Sequence, residues 1–206
     1  IERIMYNEFP YVFIIQGDTM NILLTPLDWI FGIITLIWLL EFFIFPSNIT
    51  TDKFNKDTFY LILVSILIVV FLSIILSVFD IGVFIFYELK ILSIILYFTG
   101  IILRYWSLIL LGNNFSRHIE ASEKQDLISI GPYKYLRHPL YLGLYLLTIA
   151  IPLFIGNILV LFLSMFLMFR VLKMRMEEEE RIMEKIIGDR YISWKKKRYR
   201  FIPFIY

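Results

Sequence analysis

Long apolar runs separated by short polar breaks fill the first half of the chain. About 20 consecutive apolar residues in helical form span a hydrocarbon core of ~30 Å. Residues 27–46 (LDWIFGIITLIWLLEFFIFP) reach that length, interrupted by Glu41 near the end. Residues 58–79 carry no charge, while residues 90–111 begin on Lys90 and enclose Arg104. Two shorter runs, 139–155 and 157–172, meet at Phe154-Ile155-Gly156-Asn157, a turn sequence that permits an antiparallel helical hairpin. The pattern predicts an all-α polytopic membrane protein with about five transmembrane helices. No Pro/Gly/Ser-rich linker, repeat or low-complexity segment divides it, so one membrane domain is expected over 1–206. Its transmembrane helices 1–111 precede a chemistry-bearing region, 112–206. The first twenty residues lack a signal-peptide pattern, their apolar stretches being too broken.

Composition supports the membrane reading. The chain is 59% hydrophobic and 18% aromatic, as expected of membrane helices with interfacial aromatic belts. It has no cysteine, which excludes disulfides, thiolate metal sites and cysteine nucleophiles. Two histidines give no basis for a His-rich metal site, and a net charge of +2 is too slight to suggest nucleic acid. The placement of charge says more than its sum. Of 20 Lys and Arg, 15 lie at or after residue 112, whereas the 80–89 connection carries only Asp80 and Glu88. By the positive-inside rule, residues 112–138 and the C-terminus face the cytoplasm. Five spans then put the N-terminus on the other side.

The segment KMRMEEEERIMEKIIGDRY (173–191) reads first as a solvated, salt-bridged helix, with Glu177 and Arg181 at a favourable i,i+4 spacing. A helical wheel at about 100° per residue modifies that view. With Arg175 at zero, Glu177, Glu178, Glu180, Arg181, Glu184 and Lys185 form one polar face. Arg175 and Glu179 instead sit among Met176, Ile182, Met183, Ile186 and Ile187. Two opposite charges on an apolar stripe are either a pair that staples the fold or the mark of a site. Gly188 suits a helix C-cap, and a new element begins after it.

At the start of the fourth run stands GPYKYLRHPLYLG (131–143). Pro139 fits the first turn of a helix, and the residue before a proline avoids the α region, so His138 belongs at the N-cap. The positive end of the helix there is a natural place for anionic or lone-pair oxygens. Gly143, one turn in, allows another group to approach the backbone closely. Tyr133, Tyr135 and Tyr141 suit either an interfacial belt or stacking on a planar ring, and Lys134 and Arg137 read equally as snorkelling topology signals. Arg104 either snorkels toward the cytoplasmic edge, the expected reading, or points inward at the site. Upstream, about twenty polar residues include Glu120, Gln125 and Asp126, which suit hydrogen bonds to a ribose or an amino group. No G-x-G-x-x-G or P-loop occurs, so no soluble-type nucleotide fold is indicated.

Taken together, the two segments resemble the isoprenylcysteine carboxyl methyltransferase family. The family pattern is roughly G-x-Y-x-x-x-R-H-P-x-Y-x-G, then after a helical hairpin R-x-x-x-E-E-x-x-L-x-x-x-F-G-x-x-Y-x-x-Y, then I-P. Here the first part is Gly131, Tyr133, Arg137, His138, Pro139, Tyr141 and Gly143. The second is Arg175, Glu179, Glu180, Met183, Ile187, Gly188, Tyr191 and Trp194, followed by Ile202-Pro203. Met, Ile and Trp replace Leu, Phe and Tyr, with every spacing kept. Gly112-Asn113-Asn114-Phe115 also looks like the start of the family's cofactor-binding region.

This resemblance implies S-adenosylmethionine as cofactor, at a cytoplasmic-side pocket formed by the 112–138 loop and the C-terminal helix and tail. Glu120, Gln125, Asp126, Leu127, Ile128, Tyr133, His138, Pro139, Leu140, Tyr141 and Glu179 would enclose it. Arg175 would be the catalytic and substrate-binding residue, holding the carboxylate of a prenylated cysteine on a protein or small lipidated substrate. The implied partners are that substrate and membrane lipids, with neither nucleic acid nor metal. The implied location is the endoplasmic reticulum membrane in a eukaryote or the cell membrane in a prokaryote, with a cytoplasmic C-terminus. Three other readings compete. A phospholipid N-methyltransferase would favour an acid or aromatics over Arg at 175. A sterol reductase shares R-H-P-x-Y and a tail like YRFIPFIY but usually has Asn where Leu140 stands. In a non-enzymatic scaffold, Arg175 and Glu179 would only pair with each other.

Overall fold

The computed structural model describes residues 14–15, 20–21, 25–45, 53–84, 86–112 and 126–202. Apart from a two-residue antiparallel pairing of Ile14–Ile15 with Met20–Asn21, its regular structure is helical. Helices α1 (Pro26–Ile44), α2 (Lys53–Val78) and α3 (Tyr87–Leu111) follow the three long apolar runs. Each contains a segment long and apolar enough to cross a membrane; in α2 it is Thr58–Val78. Their outward faces carry bare apolar side chains such as Phe43, Leu67 and Ile109, as contact with lipid tails requires.

Helix α1 starts where its sequence provides a capping box. The Thr25 hydroxyl accepts from Asp28 N, and the Asp28 carboxylate accepts from Thr25 N at 2.8 Å. Two of the first-turn donors are thereby satisfied, and Pro26 occupies a position where its missing N–H is harmless. The expected hairpin is formed by α4 (Pro139–Ile155) and α5 (Ile158–Ile187). Gly156 turns the chain in the left-handed region at φ 81°. Asn157 caps α5 by accepting from Val160 N, and its amide donates to Ile81 O at 3.0 Å. This ties the α2–α3 connection to the hairpin turn, opposite the site.

The acidic segment is not a separate helix. It continues α5, whose 30 residues extend ~45 Å, longer than the hydrocarbon core. Its apolar first half packs in the bundle, and its second half carries Arg175 and Met176, still buried there, and then the acidic run to Glu184. Gly188 ends α5 at φ 65°, and α6 (Asp189–Lys195) starts at once.

The core joins Trp38, Tyr97, Leu147, Met168, Leu172, Met176 and Phe201. Helices α3 and α4 cross with their backbones close together. A Cβ on Gly100 would lie 2.8 Å from Gly143 O, and one on Gly143 would lie 2.6 Å from Arg104 Cγ. Gly143 therefore does admit a close neighbour, but that neighbour is α3 and the stem of Arg104.

Candidate active site

The site forms where the segment leading into α4 meets the extended end of α5. Residues 131–134 make one tight turn entered through Gly131, at φ 56°. The turn buries Tyr133, whose hydroxyl is pushed far above its ordinary range by burial and then by the charge of Glu179. His138 takes the N-cap position of α4 with Pro139 in the first turn, as the sequence suggests. The C-terminal tail folds back beside them. Arg137 N donates to Tyr199 O at 2.8 Å and His138 N to Arg200 O at 3.2 Å, while Tyr199 N donates to Tyr135 O. Trp194 Nε1 donates to Ile128 O at 3.0 Å.

Two carboxylates one residue apart on α5 play different parts. Glu179 is partly exposed; its Oε2 accepts the Tyr141 hydroxyl at 2.9 Å and stands 3.8 Å from His138 Nδ1. Glu180 is only 2% exposed. It accepts from Arg137 Nη1 (2.8 Å), Arg200 Nη2 (2.9 Å) and His138 Nε2 (3.0 Å), with Lys195 Nζ at 3.8 Å. The wheel had assigned Glu180 to the solvated face. The tail covers that face and brings cations from outside the helix, so the position is buried.

Although burial would raise the Glu180 carboxyl, the hydrogen bonds and charges of His138, Arg200 and Arg137 prevail and hold it at about 2. The unfolded chain therefore binds a proton at Glu180 at a higher pH than the folded one. The resulting stability is present above the ordinary carboxylate value and is lost as pH falls from about 4.5 toward 2. Thermal melting of the detergent-solubilised chain is expected to drop over that interval, and Glu180→Gln to flatten the drop. Identical pH profiles for both proteins would show that Glu180 is not responsible.

Arg175 is 3% exposed. Its Nη1 donates to Thr58 Oγ1 on α2 at 2.6 Å, and its Nε to the Tyr141 hydroxyl at 3.3 Å. That hydroxyl thus sits between Arg175 and Glu179. Beyond Arg175 an apolar cavity of about 300 Å³ runs between α1 and α2, lined by Trp38, Phe42, Phe59, Ile62, Ile66 and Val70. Leu140, Tyr141, Leu144, Arg104 and Arg175 line it as well.

Arg104 does not snorkel. It is buried and pairs through Nε and Nη2 with the fully buried Glu41, while Nη1 donates to Leu140 O at 3.3 Å. Sequence reading missed this pair, together with Thr58 and the Tyr141 bridge. Its only sequence signal was a lone acid and a lone base in two separate apolar runs.

Of the expected site residues, Tyr133, His138, Pro139, Leu140, Tyr141, Arg175 and Glu179 converge. Leu127 and Ile128 lie half-buried alongside, with Asp126 exposed. Glu120 and Gln125 lie outside the described residues, as does most of the 112–115 motif. Among the described residues no group of three or more His, Cys, Asp or Glu is placed to hold a metal ion.

The fold and site define a helical membrane protein with a polar, partly buried centre at one end of its bundle, opening on an apolar cavity. Residues 92–185 match the model of the isoprenylcysteine carboxyl methyltransferase family. In that segment, just under half of the chain, the sequence is similar to this family. It is 32% identical over 120 residues to a protein-S-isoprenylcysteine O-methyltransferase from Xenopus laevis, covering 57% of this chain and 41% of the relative. The Schizosaccharomyces pombe protein of the same name is 28% identical over 108 residues, covering 52% and 46%. Less than half of each relative's length is therefore matched. A solved structure of a eukaryotic intramembrane Ras methyltransferase, isoprenylcysteine carboxyl methyltransferase, aligns with TM-score 0.65 and 23% identity. It covers 88% of this chain and 68% of that one, which speaks to the fold.

Proposed function

We propose that this chain is an S-adenosylmethionine-dependent methyltransferase that esterifies the C-terminal carboxylate of a prenylated cysteine within the membrane. The observation that carries the reading is a buried arginine at the polar end of an apolar cavity. A prenyl chain suits the walls supplied by α1 and α2, and its carboxylate suits Arg175. The similarity of residues 92–185 to the family model supports the reaction class.

The reaction requires little proton chemistry. A carboxylate with pKa near 4 is ionised at neutral pH, so no general base is needed. What remains is placement of the nucleophile with water excluded. The guanidinium of Arg175 is a rigid fork that stays charged and binds a carboxylate through two parallel bonds. Thr58 and the Tyr141 hydroxyl hold that fork from two sides, which restricts where the carboxylate can lie. When bound, S-adenosylmethionine supplies the electrophilic methyl group. Its amino and hydroxyl groups need acceptors, and Glu179 and His138 Nδ1 provide two that face each other. An amine acceptor, as in a phospholipid N-methyltransferase, would be repelled by Arg175.

By the charge pattern, residues 112–138 and the tail face the cytoplasm, with α4 and the apolar half of α5 completing five spans. The membrane would be the endoplasmic reticulum in a eukaryote and the cell membrane in a prokaryote. The cofactor would enter from the cytoplasm and the lipid from the bilayer.

The direct test combines the purified chain with methyl-labelled cofactor and N-acetyl-farnesylcysteine, and looks for a base-labile methyl ester. Methylation of phosphatidylethanolamine or another amine without ester formation would overturn the acceptor assignment. Glu179→Ala is expected to weaken S-adenosylmethionine binding about 10- to 100-fold, the usual cost of losing a hydrogen bond to a charged group. Unchanged affinity by calorimetry would remove Glu179 from the cofactor site.

A further inference from the structure

Glu180 belongs to neither the cofactor contacts nor the cavity, yet its partners converge from three directions. Arg137 and His138 precede α4, Lys195 ends α6, and Arg200 comes from the tail. Three cations and an imidazole around one carboxylate keep it ionised, and an ionised carboxylate can only accept hydrogen bonds. The bond of 3.0 Å to His138 Nε2 therefore needs its hydrogen on that nitrogen. In the neutral ring this leaves Nδ1 with a lone pair. Nδ1 points toward Glu179 Oε2, 3.8 Å away, which is itself an acceptor occupied on one side by the Tyr141 hydroxyl. The ring lies against that of Tyr141, with centroids 5.6 Å apart. With the ring neutral, Nδ1 and Glu179 Oε2 are two acceptors facing each other, a gap suited to a donor.

We propose that Glu180 is a positioning residue that locks His138 with its hydrogen on Nε2, so that Nδ1 and Glu179 together accept a donor group of the cofactor, an ammonium or a hydroxyl. The identity of that donor rests on the proposed function; the lock on the ring does not. Glu180 acts through His138 and touches neither reactant. Its bond to Arg200 separately ties the tail to α5.

The sequence has only two histidines, His118 and His138, so the ring nitrogens are readily resolved. In the full chain, labelled with ring-¹⁵N histidine and solubilised in detergent at pH 8, His138 is expected to give the Nε2–H pattern, with His118→Gln assigning the signals. Glu180→Ala is expected to turn that pattern into a tautomer mixture. It should also lower S-adenosylmethionine affinity about 10- to 100-fold, the scale of one lost hydrogen bond to a charged group. Arg200→Gln breaks the same cluster but spares the Nε2 bond, so it should keep the tautomer and bind within a few-fold of wild type.

A wild-type ring that is Nδ1–H or doubly protonated overturns the proposal without any variant, which covers the case of Glu180→Ala failing to fold. A Glu180→Ala chain with wild-type tautomer and affinity overturns it as well. A wild-type chain with the Nε2–H form but no affinity for S-adenosylmethionine would support the lock and overturn the methyltransferase reading instead.

Discussion

Arg175→Ala is expected to lower turnover at least about 100-fold, the scale of loss when a reacting group is misplaced by about an ångström. Affinity for S-adenosylmethionine should stay within a few-fold of wild type. Arg175 is buried at the end of the apolar cavity, where a lipid carboxylate would otherwise have to leave water unpaired. Removing the guanidinium takes away both the counter-charge and the geometry. Arg175→Lys keeps the charge on a flexible stem without the planar fork, so it should recover only part of the loss. The sequence left open a purely structural role, a staple between Arg175 and Glu179. The bridge through the Tyr141 hydroxyl ties the two residues together, yet it still leaves them facing different regions, the cavity and the His138 side. A folded Arg175→Ala chain that turns over normally would restore the staple reading. So would an Arg175→Ala chain that loses cofactor affinity and turnover to the same degree.

The second large effect concerns stability. Glu41→Ala leaves Arg104 buried without its counter-charge, and Arg104→Ala does the same to Glu41. Each single change is expected to cost about 3–5 kcal/mol, the usual penalty for breaking a buried pair from one side. The double variant Glu41→Leu with Arg104→Met should recover most of that, because apolar residues of similar volume replace a buried pair at little net cost. Reversible unfolding in mixed micelles measures all three. Single variants as stable as wild type would mean that water or lipid headgroups reach the pair, contrary to its burial. Arg104 also donates to Leu140 O and passes over Gly143. The pair thus braces the first turn of α4 against α3, directly beneath the His138 turn.

Some of this was legible in the chain and some was not, for identifiable reasons. Local signals worked. The run 27–46 became Pro26–Ile44, beginning at a Thr-x-x-Asp capping box. The hairpin turned at Gly156 and Asn157 as read, and Gly188 ended α5. Each of these depends on residues within one or two turns of one another. The wheel likewise placed Arg175 and Met176 on a buried face correctly, since that face packs against the bundle the helix already belongs to.

It failed for Glu180, because a wheel presumes water on the polar side, and here residues 195–201 return to cover it. It gave no hint of Glu41 with Arg104, 63 residues apart on different helices, or of Thr58, 117 residues from Arg175.

By itself, then, the sequence determined the helices, their apolar faces, the turn chemistry and the motif spacing that resembles the family's. These follow from periodicity and backbone preference, which act over a few residues. Only the tertiary structure decided which charges share a partner, that Glu180 rather than Glu179 is the buried carboxylate, and that Arg104 turns inward. Those outcomes depend on which distant segments exclude water together, and a linear pattern does not encode that.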